Sequence, residues 1–358
     1  MNMIHQRKQD PQPTIVDVAR RARVSTATVS KVLRGVATVR HENRQAVFEA
    51  VRGLGYRADP LAANLRSQRR SLIGLVVPDF ENPFFGGLVA AYEMLAEASG
   101  YRLVSVSSRE DPEREQEQIR MLLDWRVAGL IVVPVNPKFS MEFQESAAAT
   151  PLVMVDRVPS QNRWDSVSVN NRRATAMVTR HLAALGHKSI LVALSSETLP
   201  NMRERLEGIR DVAGACDLDI EVLACGMNHH STSRAVAARF DRGHLPTAIF
   251  SLFIQATLAT LLETGRRHIV IPDDLSVVGF DDIEWMQATR PPIAAVIQPT
   301  EALVRTSWDR LCQRLENPAG DVTGQKVRCE IDYRGSIAPP RRRPIPDPDP
   351  GHRIREAE

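Results

Sequence analysis

The sequence lacks the short motifs by which several large enzyme classes are recognised. It contains no G-x-G-x-x-G loop, no Walker A loop, no G-x-S-x-G elbow and no H-E-x-x-H helix. The segment Gly320-Asp-Val-Thr-Gly-Gln-Lys326 is similar to a phosphate loop but lacks its Gly-Lys-Ser/Thr ending. These absences argue against an enzyme, and we predict no catalytic residue, no cofactor and no metal site.

Long apolar runs are also missing. No uninterrupted apolar run approaches the roughly 20 residues of a membrane-spanning helix, and residues 1–10 lack the apolar centre of a signal peptide. We therefore expect a cytoplasmic protein without a membrane partner. The four cysteines lack the close spacing of metal ligands, and in that compartment they are expected to be reduced; they are Cys216, Cys225, Cys312 and Cys329.

Charge is unevenly distributed along the 358 residues, although the formal net charge is only +3. Residues 1–70 hold 14 Lys and Arg against 5 Asp and Glu, which gives a net charge of +9. The remaining 288 residues hold 32 against 38, which gives −6. A basic head on a mildly acidic body predicts that the head contacts a polyanion, as nucleic-acid-binding domains do.

Within the head, the stretch from Thr14 to Arg34 predicts two short helices joined by a tight turn. Thr14, with Asp17 three residues later, is suited to cap the first helix, and Ser25 is suited to cap the second. Apolar residues at helical spacing give each helix one buried face: Ile15, Val18, Ala19 and Ala22 in the first, and Val29, Val32 and Leu33 in the second. Helices this short are not stable alone, so the two must pack together.

The outer side of the second helix carries the chemistry of a DNA reader. Thr26, Ala27 and Lys31 lie where a recognition helix meets base edges. Hydroxyl groups and a further positive charge suited to phosphate contacts belong to Thr28, Ser30 and Arg34. The alternative is a small helical hairpin with a solvated basic face. A third helix at 41–54 completes the small domain, and residues 58–70 predict a short hinge helix.

From residue 71 the pattern changes to alternating strands and helices, which predicts parallel sheets covered on both faces. The first round has strands at 72–77, 101–107, 129–133 and 152–156, with helices at 83–100, 112–126 and 138–148 between them. A second round begins near Val167, with strands at 189–194, 220–224, 247–251 and 275–280. Its helices are predicted at 171–186, 202–215, 231–241 and 255–264.

This order of elements resembles the LacI/GalR family of bacterial transcription factors. The resemblance runs over about residues 14–335 and rests on many short segments in the right order. The head matches from Thr14 to Arg34. The core matches at Ser71-Leu-Ile-Gly-Leu-Val-Val-Pro-Asp, Asn82-Pro-Phe-Phe85, Val155-Asp-Arg157, His181-Leu-Ala-Ala-Leu-Gly-His187, Arg205-Leu-Glu-Gly208, Pro246-Thr-Ala248 and Ile271-Pro-Asp-Asp-Leu-Ser-Val-Val-Gly-Phe-Asp-Asp282.

The resemblance implies an all-α helix-turn-helix head and hinge helix, followed by a two-lobed α/β sensor core of type I periplasmic-binding-protein architecture. The expected boundaries are a disordered lead-in at 1–13, a DNA-binding domain at 14–57 and a hinge at 58–70. The amino-terminal lobe is expected at 71–162 and 298–325, and the carboxy-terminal lobe at 163–297 and 326–337. A disordered, proline-rich tail is expected at 338–358.

The resemblance also implies the functional residues. It implies that Thr14 and Ser25 contact phosphates together with Thr28, Ser30 and Arg34. Hinge helices that fold on DNA push a leucine into the minor groove, and the matching residue here is Leu65, with Ala62 beside it. Ligands of open α/β folds lie beyond the carboxyl ends of the strands. The residues expected to bind an effector there are Phe84, Phe85, Asp156, Arg157, Arg205, Asp281 and Trp285. Each has a structural alternative, such as core packing for the phenylalanines or a salt bridge between the lobes for Arg205.

Two positions depart from the family pattern. The turn between the first two helices usually carries glycine, whereas Arg23 stands here, and a non-glycine residue with positive φ carries strain. Relatives place Asn-Asp where this chain has Phe253-Ile254, so a polar sugar contact is lost. We therefore expect an effector that is less polar or held differently.

We thus predict a homodimeric, sequence-specific regulator, a repressor, whose affinity for operator DNA is controlled by a sugar or sugar acid bound between the lobes. The alternative is a non-exported solute-binding or enzymatic protein on the same two-lobed scaffold. The sequence leaves open the effector, its sign as inducer or corepressor, the operator and any assembly beyond a dimer.

Overall fold

The computed structural model describes residues 13–33, 36, 38–56, 71–135, 147, 149–159 and 163–341. The chain divides into two compact units, residues 1–70 and residues 71–358. Among the described helices, none is both long and apolar enough to cross a membrane. The proposed lead-in (apart from Pro13), the hinge at 58–70 and nearly all of the helix predicted at 138–148 lie outside the described residues.

The described residues of the first unit form three helices, α1 (Ile15–Ala22), α2 (Thr26–Leu33) and α3 (His41–Leu54). The predicted caps are confirmed. Thr14 and Asp17 form a reciprocal capping box, and the Thr28 amide donates to Ser25 Oγ at 3.1 Å. The predicted apolar faces form one small core, with Val18, Ala19, Ala22, Val29, Val32, Val47 and Ala50 buried in it.

The second unit alternates strands and helices, as the sequence predicts. Its first part contains β1 (Leu72–Val77), α4 (Pro83–Ala98), β2 (Arg102–Ser107), α5 (Pro112–Asp124), β3 (Gly129–Val132), β4 (Leu152–Val155) and β5 (Asp165–Val169). Its middle part contains α6 (Asn171–Ala184), β6 (Ser189–Leu194), α7 (Pro200–Cys216), β7 (Asp219–Ala224), α8 (His229–Asp241), β8 (Ala248–Ser251), α9 (Ile254–Arg266), β9 (Ser276–Phe280), α10 (Glu284–Ala288) and β10 (Ala294–Ile297). It ends with α11 (Thr300–Glu316), β11 (Gly324–Val327) and β12 (Glu330–Asp332).

These strands form two six-stranded sheets, one in each lobe. The first has the order β2-β1-β3-β4-β5-β11 and is parallel throughout. The second has the equivalent order β7-β6-β8-β9-β10-β12, in which only β12 is antiparallel to its neighbour. Buried aliphatic side chains fill the space between each sheet and its helices. Two parallel sheets of matching order confirm the predicted two-lobed α/β fold.

The chain passes between the sheets after β5, after β10 and between β11 and β12. Helix α11 packs on the first sheet through Leu303, Val304, Trp308 and Leu311. The boundaries predicted from the sequence assign residues 163–169 and 326–327 to the second lobe. Strand pairing instead places β5 beside β4, and β11 beside β5, in the first sheet. The lobe boundaries therefore shift by a few residues, to follow β5 and β11.

The tail begins later than the sequence analysis placed it. The Ala338 carbonyl oxygen accepts hydrogen bonds from His187 Nε2 at 3.0 Å and from Ser276 Oγ at 3.1 Å. Arg341 pairs with Asp273 at 2.6 Å. Residues 338–341 are thus held against the second lobe, because a buried histidine and serine need acceptors there. The rest of the proposed tail, 342–358, lies outside the described residues.

Candidate functional site

Arg23 forms the turn between α1 and α2. Its backbone is left-handed, with φ 55° and ψ 41°. This conformation lets the Val24 amide donate to the Ala19 carbonyl oxygen at 3.1 Å, which closes the end of α1. A left-handed backbone costs a non-glycine residue roughly 1–2 kcal/mol. The turn therefore has the geometry of a glycine turn, built with an arginine.

Replacing Arg23 by glycine is expected to stabilise the head by roughly 0.5–1 kcal/mol, since relief of backbone strain exceeds the added freedom of the unfolded chain. Hydrogen exchange of the full-length protein, followed for amides of residues 14–33, measures the effect. Arg21→Gly is the matched control, because Arg21 lies inside α1, where glycine costs about 1 kcal/mol. Equal or faster exchange in Arg23→Gly than in the unmodified chain would contradict the assignment of strain.

The outer face of α2 exposes the residues predicted to read bases, Thr26, Ala27 and Lys31. The hydroxyl groups of Ser25 and Thr28 lie 2.9 Å apart at the start of this helix. Thr14 Oγ1 donates to the Asp17 carboxylate at 2.6 Å. A phosphate contact by the Thr14 hydroxyl hydrogen would therefore require this hydrogen bond to break. The predicted Arg34, Ala62 and Leu65 contacts lie outside the described residues. The exposed face thus offers a methyl group, a hydroxyl and an ammonium for base contacts.

A cleft lies between the two lobes, beyond the carboxyl ends of the strands. Its outer part has a volume of about 1180 Å³ and is lined by residues of both lobes. An inner cavity of about 40 Å³ shares four lining residues with it, Asp79, Glu110, Met227 and Gln255. Six of the seven predicted effector residues line the inner cavity: Phe84, Phe85, Asp156, Arg157, Arg205 and Asp281. The seventh, Trp285, is half-buried and lines the outer part.

Each lobe places one aspartate in the inner cavity at an equivalent position. Asp156 follows β4 and Asp281 follows β9, both with left-handed backbones of φ 64° and φ 71°. The backbone amide of Asp156 donates to the Val167 carbonyl oxygen, and that of Asp281 donates to the Val296 carbonyl oxygen, both at 3.0 Å. Aspartate tolerates this conformation better than most residues, and such strain is typical of functional sites. The two carboxylates are therefore equivalent contributions of two similar lobes.

Arg205, on the second lobe, lines the same cavity as these carboxylates and is only 2% exposed. Its Nε donates to Asn171 Oδ1 at 2.8 Å and its Nη1 to the Leu252 carbonyl oxygen at 2.5 Å. The guanidinium carbon stacks 3.4 Å from the centre of the Phe280 ring. Burial raises the pKa of both Asp156 and Asp281, and the nearby Arg205 charge partly opposes that rise. Arg205 is thus the buried counter-charge of the site.

On the first lobe, Arg157 is held by Glu110. Its Nη1 and Nη2 donate to the two oxygens of that carboxylate, each at 2.7 Å. The guanidinium also lies 5.4 Å from the Phe85 ring centre. Phe84 and Phe85 are themselves buried in the first-lobe core. The two phenylalanines therefore both pack in the core and form a wall of the inner cavity.

Four buried polar atoms of the inner cavity have no hydrogen-bond partner among the described residues: Asp156 Oδ1, Arg157 Nε, Ser195 Oγ and Gln298 Oε1. Their neighbours in the same side chains are paired, since Asn201 donates to Asp156 Oδ2 at 3.1 Å and Gln298 Nε2 donates to Asp281 Oδ1 at 2.5 Å. An unpartnered buried polar group costs about 1–3 kcal/mol. This arrangement is suited to a polar ligand that supplies the missing partners.

Comparison with known proteins identifies the family. The model for periplasmic binding proteins and the sugar-binding domain of the LacI family matches residues 70–336. The model for bacterial regulatory proteins of the lacI family matches residues 14–59. This chain belongs to the LacI family. It is a DNA-binding transcriptional regulator with an effector-binding core, which confirms the function predicted from the sequence.

Relatives match the LacI-family chain over nearly its full length. The HTH-type transcriptional repressor CytR of Escherichia coli (strain K12) is 27% identical over 333 residues, covering 92% of this chain and 98% of the relative. The transcriptional repressor PurR of Aliivibrio fischeri (strain MJ11) is 28% identical over 331 residues, covering 90% and 98%. The Lac repressor dimer bound to operator and the anti-inducer ONPF superposes with a TM-score of 0.78 at 25% identity, covering 92% and 100%.

The cavity residues of this LacI-family core that were not predicted from the sequence include Glu110, Ser195, Asn201 and Gln298. Ser195 and Gln298 directly follow β6 and β10, so the rule that ligands lie beyond strand ends applies to them too. Glu110 lies three residues after β2, and Asn201 lies in the first turn of α7. For these two, no strand-end signal was available.

Phe253 and Ile254 occupy the start of α9, next to the cavity. Phe253 lines the inner cavity and Ile254 the outer cleft, and both are buried. Neither side chain offers a hydrogen bond, so this edge of the site is apolar. Asp282, the second acid of the same motif as Asp281, instead pairs with Arg334 through both carboxylate oxygens at 2.6 and 2.7 Å. One acid of the pair faces the cavity and the other is structural.

Proposed function

We propose that this regulator is a homodimeric repressor that binds operator DNA and loses or gains affinity when a small hydrogen-bonding effector, a sugar or sugar derivative, binds in the cleft between the lobes, against the inner cavity. The observation that carries the proposal is the set of unpartnered buried atoms on Asp156, Arg157, Ser195 and Gln298. The names of the relatives support repression, since CytR and PurR are repressors. A cytoplasmic location follows from the proposed operator contact.

Control would operate through linkage between the two binding equilibria. An effector that prefers one arrangement of the lobes weakens DNA binding if that arrangement disfavours the operator-bound state, and DNA then weakens effector binding by the same factor. A corepressor would prefer the other arrangement. Induction and corepression therefore differ only in which arrangement the effector binds more tightly.

Fluorescence anisotropy tests this control. Operator DNA is first selected in vitro with the full-length protein, and the affinity for it is then titrated against sugars, sugar derivatives and nucleosides. The proposal expects at least one compound to change operator affinity by roughly 5–150-fold, the usual range of allosteric coupling. Unchanged affinity with every compound would contradict effector control while leaving DNA binding intact.

Base reading by α2 gives a separate prediction. Exchanging two neighbours, Thr26→Ala together with Ala27→Thr, is expected to change which operator sequence is selected, because these side chains face base edges. Arg34→Ala is expected to weaken binding to all sequences by a similar factor, as loss of a phosphate contact does. Competitive selection from a randomised DNA pool measures both. A uniform loss in the exchange variant would refute the base-reading assignment.

A further inference from the structure

The charges around the inner cavity are unequal. Its lining contains four carboxylates, those of Asp79, Glu110, Asp156 and Asp281, against two guanidiniums. The guanidiniums belong to Arg157 and Arg205. Two further arginines, Arg109 and Arg114, line only the outer cleft. Of these, Arg109 is exposed to water, where charge interactions are weak, and Arg114 Nε donates to the Ser107 carbonyl oxygen at 3.2 Å. The floor of the site therefore has an excess of negative groups.

Both buried guanidiniums are already engaged with the protein. The forked face of Arg157 donates to both oxygens of Glu110, and the two side chains are only 8% and 17% exposed. Arg205 donates to Asn171 and to the Leu252 carbonyl oxygen and stacks on Phe280. A bidentate contact with a ligand carboxylate or phosphate needs a free fork. Arg157 retains only one buried N–H, at Nε, without a partner among the described residues.

Glu110 is held in this pairing by a strained loop. Arg109 and Glu110 follow β2 with successive left-handed backbones, φ 53° and φ 58°. Such a conformation costs a non-glycine residue roughly 1–2 kcal/mol, and it persists only where surrounding contacts enforce it. Here the Glu110 amide also donates to the Pro78 carbonyl oxygen at 3.0 Å. The carboxylate of Glu110 thus occupies the position in which an acidic ligand would meet Arg157.

The groups left for a ligand are mostly acceptors. Asp156 Oδ1 is an acceptor. Gln298 also presents its acceptor, Oε1, because its amide nitrogen already donates to Asp281 and this fixes the orientation of the amide group. Ser195 Oγ can donate or accept. A ligand hydroxyl or amino group would satisfy these atoms, whereas a ligand carboxylate would face the Asp156 and Asp281 carboxyl groups beside two guanidiniums that already donate to protein acceptors. Desolvating an unpaired anion is far more costly than desolvating a hydroxyl.

We propose that the effector is an uncharged or cationic molecule carrying at least two hydrogen-bond donors, and that Glu110 excludes anionic effectors by occupying Arg157. This inference rests on the proposed effector control and narrows it, because sugar acids and sugar phosphates are rejected. Phe84, Phe85 and Phe253 supply the apolar wall against which a ring of such a ligand packs. Glu110 acts through Arg157 and is a specificity-determining residue.

Matched pairs of compounds test the charge preference in the full-length protein. The pairs are galactose with galacturonate, glucose with glucuronate, and cytidine and adenosine with their 5′-monophosphates; glucosamine supplies a cation. Calorimetric titration and operator anisotropy are measured on each. We expect at least one uncharged or cationic compound to bind, and its anionic counterpart to bind at least tenfold more weakly.

Variants test the cause of the preference. Glu110→Gln frees Arg157, so the ratio of neutral to anionic affinity is expected to fall at least tenfold. Glu117→Gln is the matched control, because Glu117 is exposed on α5 and lines neither part of the cleft. A double variant, Glu110→Gln with Arg157→Gln, leaves no unpaired guanidinium and is expected to lose the gained anion affinity. It also remains informative if Glu110→Gln alone unfolds.

The outcomes separate the two proposals. Tighter binding of an anionic member, with a change in operator affinity, would overturn the charge preference and leave effector control standing. An unchanged ratio in Glu110→Gln, with the neutral preference intact, would reject Glu110 as its origin. Binding by no compound of the panel would count against effector control and against the inference that rests on it.

Discussion

Replacing Gly208 by alanine is expected to destabilise the sensor core by about 3 kcal/mol, near the upper end of the usual cost of overpacking. Gly208 lies in α7 where this helix crosses α6. A Cβ atom there would lie 2.8 Å from the Arg172 carbonyl carbon and closer still to its oxygen. Both atoms belong to backbone and cannot rotate away. The helices must therefore separate, which would also disturb the bond from Thr175 Oγ1 to the Arg205 carbonyl oxygen, 2.7 Å long.

Gly214 provides a matched control in the same helix. It is exposed, and outside its own helix backbone no described heavy atom lies within 4 Å of an added Cβ. Gly214→Ala is expected to stabilise by roughly 0.5–1 kcal/mol, since alanine is the better helix former. Differential scanning calorimetry should show the core Tm lowered by roughly 6–12 °C in Gly208→Ala. Equal Tm values for the two variants would show that the close approach of α6 and α7 at Gly208 does not determine the stability of the core.

The positions of the charged site residues follow from the sequence, but their pairing does not. Asp156, Arg157 and Asp281 were predicted because they lie at or just past the carboxyl ends of strands, and parallel strands bring such residues to one edge. Which arginine is free for a ligand depends on Glu110, which is 47 residues from Arg157 along the chain. No local pattern encodes a contact of that range. Predicting the chemistry of the cavity therefore requires the packed structure.

The same limit explains why the residues of β5 were assigned to the wrong lobe. Its sequence, Asp-Ser-Val-Ser-Val, has three polar residues, yet all five residues are buried in the sheet. The buried Asp165 is balanced by Arg310 and Arg314 of α11, each at 2.7 Å. A polar residue is tolerated at a buried strand only with such partners. Because they lie about 150 residues further on, the pattern alone did not assign this strand to the first sheet.

Arg205→Met is expected to abolish the response to the effector and to lower the stability of the core by about 3 kcal/mol at neutral pH, as removal of one partner of buried charges does. Methionine preserves much of the packing on Phe280 but leaves Asp156 and Asp281 without their shared counter-charge. It also leaves the Leu252 carbonyl oxygen without its donor. Arg205→Lys keeps the charge but not the planar fork. It is therefore expected to lose only part of the stability of the core but most of the affinity for the effector.

The pH dependence distinguishes loss of charge from loss of packing. Burial already raises the pKa of Asp156 and Asp281, and removing Arg205 raises both further. A carboxyl group whose folded-state pKa lies above its unfolded value destabilises the fold at high pH, and that cost disappears as the pH falls towards the unfolded value. The stability deficit of Arg205→Met should therefore shrink as the pH is lowered from about 8 to about 5. A deficit independent of pH in urea unfolding would mean that Arg205 stabilises the core by packing alone, and that the two aspartates do not depend on its charge.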